Sequence, residues 1–138
     1  MSDVLAAARA SLDAALPATI STVDDGGVPN VSYLSRVLYI DDGHVALTNQ
    51  FFRKTRANLG SNPHALVMVV DPADGSQYQL QLEFEASHTE GPLFEQLKAE
   101  LDTIATMFGM GDVFRLASAD VFRVHGCRHL PACPPASP

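Results

Sequence analysis

Residues 44–70, HVALTNQFFRKTRANLGSNPHALVMVV, combine a strand, a short helix and a second strand in one run. HVALTN and ALVMVV are rich in the apolar and β-branched residues that are typical of strands. Between them, RKTRANLGSN contains helix formers flanked by turn residues, and Pro63 disfavours helical backbone in the residue before it. The run therefore predicts a helix of about two turns that follows one strand, precedes another and begins with Arg53 and Lys54.

Strands also dominate the predicted structure outside this run. Turn sequences such as Asp41-Asp42-Gly43 join them directly, which leaves no room for a helix between most consecutive strands. Helices are predicted at 3–16, at 53–62 and from Pro92 onward. Strands are predicted at 18–23, 28–40, 44–49, 65–70, 78–87 and 119–124. We therefore predict a mainly β fold with peripheral helices, in which six antiparallel strands form a small barrel.

The composition is that of one acidic domain. The chain has 138 residues, of which 46% are hydrophobic and 18% charged, and its formal net charge is −7. This charge argues against a general nucleic-acid or anionic-membrane binder, because affinity for a polyanion requires a basic face. The apolar runs are too short to span a membrane, and the N-terminus lacks the features of a signal peptide. We therefore expect a cytoplasmic protein that binds neither nucleic acid nor membrane.

The C-terminal segment RVHGCRHLPACPPASP is rich in proline and contains Cys127 and Cys133 together with two histidines. These residues invite a metal-site or disulfide interpretation, but their spacing fits no standard zinc pattern. Repeated proline is more typical of an extended linker. We expect residues 1–125 to form the barrel domain and residues 126–138 a Pro-rich tail or linker. The role of the cysteines, and whether the chain is part of a longer protein, stay open.

The basic cluster at the predicted helix start has two interpretations. Arg53, Lys54 and Arg56 account for three of the nine lysines and arginines of an acidic chain. A helix N-terminus offers free backbone N–H groups and a partial positive charge, so basic side chains there favour a phosphate site. Arg53 could form a two-pronged contact with the phosphate, and Thr48 or Thr55 could donate a hydroxyl hydrogen bond. Alternatively, the three side chains are a solvated surface that pairs with carboxylates.

Two quoted runs resemble a known family. GHVALTNQFFRKTRANLGSNPHALVMVVDP, residues 43–72, and ISTVDDGGVPNVSYLSRVLYIDDG, residues 20–43, resemble the FMN-binding split-barrel family related to pyridoxamine 5′-phosphate oxidase. In that family a strand ending in Thr precedes an Arg-Lys pair, a short helix and Asn-Pro. The resemblance implies a split β-barrel of the FMN-binding type, and a homodimer with the flavin between its two barrels.

The resemblance also implies a set of cofactor-binding residues. Arg53 and Lys54 would hold the phosphate of FMN, with the end of the preceding strand close to it. The backbone at the end of the second predicted strand would run along the flavin ring, and a glutamine would lie at the start of the long strand. The implied residues are Leu34, Ser35, Arg36, Thr48, Asn49, Arg53, Lys54 and Gln77.

Departures from the family pattern bear on the activity. The chain has no tryptophan, and it lacks the longer C-terminal segment of the true vitamin B6 oxidases. Arg123-Val124-His125 spells the Arg-x-His of their substrate motif without a surrounding match, and Phe51 and Phe52 replace small polar residues before the basic pair. Vitamin B6 oxidation is therefore not assigned. Residues 89–116 resemble a bacterial subgroup in which such barrels are fused to sensory domains.

Two functions follow from these observations. The first is an FMN-dependent oxidoreductase with an unknown substrate and electron donor, in which the flavin supplies the chemistry and no acid or base residue is assigned. The alternative is a non-catalytic flavin or redox-sensing module that acts on a partner or a fused signalling domain. Deazaflavin or haem could replace FMN in such a barrel, and haem would require an axial ligand such as His88 or His125.

Overall fold

The computed structural model describes residues 2–12, 18–49, 53–107, 109 and 115–132. The described residues form three helices and seven strands. In chain order they are α1 (Ser2–Leu12), β1 (Ala18–Val23), β2 (Pro29–Leu34), β3 (Val37–Asp41), β4 (His44–Asn49), α2 (Arg53–Ser61), β5 (His64–Val70), β6 (Gln77–His88), α3 (Pro92–Met107) and β7 (Ser118–Leu130).

The strands form one antiparallel sheet in the order β2-β1-β5-β6-β7-β4-β3. Its two edge strands, β2 and β3, are consecutive in sequence and are joined only by Ser35 and Arg36. A connection this short forces the sheet to curl until its edges approach each other at that corner. The fold is therefore a split β-barrel with peripheral helices, as the sequence predicts.

The barrel has seven strands where six were predicted, because the predicted strand 28–40 is two strands. β2 pairs with β1 as far as Leu34, whereas β3 pairs with β4 from Val37 onward. Between them, the Arg36 N–H donates a hydrogen bond to Thr48 Oγ1 over 3.1 Å, and the Thr48 N–H donates one to the Arg36 carbonyl over 3.2 Å. These long-range bonds break the strand at a place where the sequence has neither glycine nor proline.

The last strand continues beyond its predicted end at Val124. β7 pairs with β6 as far as Leu130, which lies opposite Gln77. Residues 126–130 are therefore part of a strand, whereas the sequence predicts a tail there; the division of the chain into a domain and a tail stays a prediction. The strand continues because the first half of β6 provides a partner for a chain whose composition alone resembles a linker. Cys127 lies in this part of β7 as a free, half-buried thiol, and Cys133 lies outside the described residues.

The core lies inside the barrel and under α1. Leu5, Ala8 and Leu12 of α1 are buried there at helical spacing, so one face of this helix packs on the barrel. A second, smaller cluster joins Leu97 of α3 to strands β3, β4 and β7. Each fully buried Leu or Phe side chain contributes about 1.5–3 kcal/mol. None of the described helices combines the length and the hydropathy that a membrane-spanning helix requires.

Candidate functional site

The corner where β2 ends, β3 begins and β4 ends contains five of the residues implied by the resemblance. Thr48 is fully buried and its hydroxyl accepts the Arg36 N–H. Asn49 is also buried, and its carbonyl accepts the Ala117 N–H over 2.7 Å. Leu34 belongs to the core, and Ser35 lies between it and Arg36. The structure thus brings these five residues together at one corner, where hydrogen bonds join Arg36 to Thr48.

The Arg36 side chain stabilises this corner from outside. Its Nη1 donates to the Leu12 carbonyl at the end of α1 over 2.5 Å, and its Nε lies 3.3 Å from Glu100 Oε2 of α3. Because the guanidinium is mostly buried, these charge-assisted bonds connect two helices to the barrel. The Arg36 side chain therefore has a structural role, and only the Arg36 backbone lies at the corner itself.

The two basic residues predicted to bind phosphate lie on the first turn of α2. Both are exposed, and Lys54 Nζ lies 3.5 Å from Asp24 Oδ2 in the turn between β1 and β2. The Val28 N–H, followed by the Gly26 N–H and Lys54, lowers the pKa of Asp24. An exposed pair of this kind contributes little to stability. Among the described residues the Arg53 side chain has no ion pair or hydrogen bond.

Polar contacts beneath α2 fix the direction of its N-terminus. Asn58 Nδ2 donates to Thr22 Oγ1 over 3.0 Å, and both residues are buried. The Thr55 hydroxyl lies 3.3 Å from Ser32 Oγ and 3.4 Å from Asn30 Nδ2. The sequence suggests Thr55 only as a possible donor to a phosphate and does not predict this network. The sequence feature that could have revealed the network is the alternation in β2. There, polar Asn30 and Ser32 face the protein, and the apolar residues between them face solvent.

Within a single copy of the chain, Gln77 lies far from this corner. Thr48 pairs with Ala119 of β7, which in turn pairs with His88 at the end of β6. Gln77 is the first residue of β6 and therefore lies at the other end of that long strand. Its neighbours Tyr78, Leu80 and Leu82 are buried, so Gln77 belongs to the outer face of the sheet.

The outer face of the sheet contains a broad, mainly apolar groove of about 580 Å³. His64 and Leu66 of β5, Gln81 of β6 and His125 of β7 are among its lining residues. The His64 and His125 rings are 6.3 Å apart, and His125 Nε2 lies 2.8 Å from Glu83 Oε2. The hydrogen bond from His125 lowers the pKa of Glu83. Two imidazoles therefore lie beside an apolar surface that is open to solvent.

The same face continues into a row of charged pairs. His44 contacts Asp41 Oδ1 through Nδ1 and Glu85 Oε1 through Nε2, at 2.9 and 3.1 Å. Arg123 Nε lies 3.0 Å from the same Glu85 oxygen. Asp41, as the strongest cause, raises the pKa of His44. Arg123 and His125, the two ends of the Arg-x-His sequence, are thus both paired with glutamates of β6. His88 is exposed at the end of β6.

Comparison with known proteins identifies the family of this chain. A family model described as pyridoxamine 5′-phosphate oxidase matches residues 4–125. The chain belongs to this family. The resemblance inferred from residues 20–72 is thereby confirmed. A search of curated proteins finds no significant match.

Solved structures of the same fold include proteins whose names refer to three different ligands: FMN, F420 and haem. An FMN-binding protein from Syntrophomonas wolfei has 24% identity and a TM-score of 0.80, with 96% of this chain and 89% of that chain covered. An F420 reductase has 16% identity and a TM-score of 0.62, covering 87% and 94%. HutZ, the heme storage protein from Vibrio cholerae, has 17% identity and a TM-score of 0.60, covering 91% and 93%. At these identities the similarity establishes the fold alone.

Proposed function

We propose that this protein binds FMN at the N-terminus of α2 and acts as a flavin-dependent oxidoreductase on a small substrate. The observation that carries the proposal is the first turn of α2. Arg53 projects from it without a partner among the described residues, at a helix whose buried Thr55 and Asn58 are hydrogen-bonded to the barrel. A cation held on a fixed helix N-terminus in an acidic protein is suited to an anionic group.

The phosphate of FMN would lie against Arg53 and Lys54. Arg53 supplies a planar fork that matches two phosphate oxygens, and Lys54 supplies a point charge. Lys54 can leave Asp24 for the phosphate at small cost, because its present ion pair is long and exposed. Thr48 and Asn49 end the strand before this helix, and their buried positions keep that end fixed.

The flavin ring would lie along the backbone of Leu34, Ser35 and Arg36. A second copy of the chain would complete the binding site around it. Support for a homodimer comes from the outer face of the sheet, where Val31 and Tyr33 are 64% and 78% exposed. Large apolar side chains in such a patch favour an interface. Gln77 lies on the outer face too, so the partner copy would be the one that brings this glutamine to the flavin.

The chemistry would come from the cofactor, which supplies hydride or electron transfer when it is bound. The residues of this chain bind and orient it: Arg53 and Lys54 hold the phosphate, and the corner at Thr48 fixes the backbone beside the ring. Substrate and electron donor would be small molecules. A non-catalytic flavin module would use the same binding residues, so turnover is what distinguishes the two functions.

Haem binding is a second candidate, favoured by one observation on the outer face. His64 and His125 lie next to the apolar groove of about 580 Å³, and imidazole is a common axial ligand of haem iron. His125 would have to give up its bond to Glu83 to serve as that ligand. A deazaflavin would use the same phosphate contacts as FMN.

A titration of the purified protein with FMN, followed by NADPH in the absence of oxygen, tests the proposal. We expect saturable binding and bleaching of the flavin absorption by NADPH. The double variant Arg53→Ala/Lys54→Ala should weaken FMN binding by about 2–4 kcal/mol, since each charge-assisted contact contributes roughly 1.5–3.

The matched control is Lys98→Ala/Arg128→Ala, which removes the same charge from exposed positions on α3 and β7 and should leave FMN affinity unchanged. Equal loss in both double variants would indicate a general charge effect and contradict the assigned site. FMN binding without bleaching would favour the non-catalytic module. Absence of FMN binding together with a haem absorption band lost in His125→Ala would favour the second candidate.

A further inference from the structure

A second, smaller cavity lies between α2 and the barrel wall. It has a volume of about 170 Å³, and its lining residues come from α2, β6 and β7. They are Arg56, Leu59, Gly60, Phe84, Ser87 and Asp120. Neither the family resemblance nor the proposed FMN site uses any of them.

Asp120 is the residue that makes this cavity unusual. Its side chain is in the barrel wall, and the residue is only 4% exposed. Ser87 Oγ and Ser118 Oγ each donate a hydrogen bond to its Oδ1, both over 2.7 Å. Among the described residues no cationic side chain pairs with it. A buried carboxylate held only by neutral hydroxyl groups is costly, which favours a positively charged group from outside.

Arg56 lines the same cavity from α2 and is exposed. Its guanidinium has no ion pair or hydrogen bond among the described residues. The cavity therefore has a carboxylate at its buried end and a guanidinium at its solvent end. The walls between them include the apolar side chains of Leu59 and Phe84. Gly60 leaves the α2 side of the cavity open, because a Cβ atom there would meet no atom within 4 Å.

We propose that this cavity binds a small zwitterion, a molecule that carries both an ammonium and a carboxylate group, of the size of an aliphatic amino acid. The ammonium group would pair with Asp120, the carboxylate with Arg56, and an aliphatic side chain would contact Leu59 and Phe84. The volume corresponds to about five or six water molecules at roughly 30 Å³ each. It is below the roughly 300–1,000 Å³ of pockets for larger ligands, so a flavin or haem does not fit.

The site is independent of the proposed FMN site. Arg56 and Leu59 lie on the side of α2 that faces β6 and β7, whereas Thr55 and Asn58 contact β1 and β2. Zwitterion binding therefore does not depend on whether the protein holds a flavin. Occupancy would nevertheless stabilise α2, the helix whose first turn carries Arg53 and Lys54.

The test is isothermal titration of the purified protein with L-valine and with two analogues that each lack one charged group. Isovalerate has no ammonium group, and isobutylamine has no carboxylate. We expect saturable binding of L-valine, and binding at least about tenfold weaker for either analogue, which corresponds to the loss of one charge-assisted contact.

Two variants locate the binding site. Asp120→Asn keeps the shape and an acceptor for the two serines but removes the charge, and Arg56→Gln alters only an exposed side chain. Each should weaken L-valine binding about tenfold or more, whereas Arg128→Gln, an exposed change on β7, should not. Far-UV circular dichroism confirms that the variants are folded.

Three results would overturn the proposal. They are no saturable binding of L-valine, equal binding of the three compounds, or unchanged L-valine affinity in the folded Arg56→Gln variant. FMN titration of Arg56→Gln and Asp120→Asn should give wild-type affinity. A wild-type protein that binds L-valine but does not bind FMN would contradict only the function proposed above.

Discussion

Thr48 holds the chain at the point where it passes from one edge of the sheet to the other. Its buried hydroxyl accepts the Arg36 N–H, and its own N–H donates to the Arg36 carbonyl. Thr48→Val has nearly the same shape but leaves the Arg36 N–H without its acceptor. We expect a loss of about 1–3 kcal/mol in the free energy of unfolding, measured by urea denaturation.

Thr19→Val is the control for this change. Thr19 lies on β1, is only half-buried, and makes no side-chain hydrogen bond within the described part of the chain. Its substitution should stay within about 0.5 kcal/mol of wild type. Equal destabilisation by the two substitutions would mean that the hydrogen bond from the Arg36 N–H to Thr48 adds nothing to the free energy of unfolding.

Single residues also show where prediction from sequence stops. Arg53 and Lys54 are recognisable because two adjacent cations at the start of a short helix stand out in an acidic chain, and their role stays a prediction. Asp120 gives no such signal: within ADVFRV it resembles any polar residue of a half-buried strand. Its burial becomes visible only when the pairing of β6 with β7 brings Ser87 beside it.

At the scale of elements, α2 contains a glycine that serves no conformational purpose. Gly60 is within the helix, does not have a positive φ, and has open space where a Cβ would be. Gly60→Ala should therefore raise the free energy of unfolding by about 0.5–1 kcal/mol, because alanine loses less backbone entropy in a helix. Thermal or urea unfolding measures it.

Gly27→Ala provides the opposite case. Gly27 lies in the turn between β1 and β2 with a φ of 81°, a conformation that favours glycine. This substitution should destabilise the protein by about 1–2 kcal/mol. The interpretation of α2 fails if alanine at position 60 destabilises as much as alanine at position 27.

Element boundaries were predictable where local chemistry alone sets them. β1 and β4 have the predicted limits, and α3 begins at Pro92 as predicted, because turn residues or a proline stand at those ends. The break between β2 and β3 depends on a bond to Thr48, a residue far along the chain. The extension of β7 depends on the length of β6. Neither dependence is visible in the local sequence.

At the scale of the whole molecule, His44 connects charges on β3, β4, β6 and β7. Asp41 and Glu85 contact its ring, and Arg123 shares Glu85. Because the pKa of His44 is raised in the folded state from its ordinary value of 6.5, protonation of His44 stabilises the fold. That contribution is present below pH 6.5 and is lost as the pH rises through the folded-state pKa.

The corresponding variant is His44→Gln. Between about pH 6 and pH 8, wild-type stability should fall more than that of His44→Gln, in which this titration is absent. Urea denaturation at a series of pH values measures the difference. Identical pH profiles for the two proteins would show that the contacts of His44 do not change stability on protonation.

The exposed apolar residues of β2 predict the behaviour of the protein in solution. If Val31 and Tyr33 form the interface of a homodimer, Tyr33→Lys places a charge in it and should give a monomer by light scattering. Ile40→Lys, on β3, changes another exposed apolar residue and should leave the mass unchanged. If the wild-type protein is a monomer while FMN is bound, the proposed homodimer interface is wrong.

The strand order also determines when the barrel can be completed during synthesis. β4 ends at Asn49, but its partner β7 begins only at Ser118, so β4 leaves the ribosome with β3 as its only available neighbour. A two-stranded ribbon is marginally stable at best. Closure must therefore wait until β7 has been synthesised, and non-local pairing of this kind makes folding slow. A chain that ends before Ser118 would keep open strand edges on β4 and β6, and such edges template aggregation.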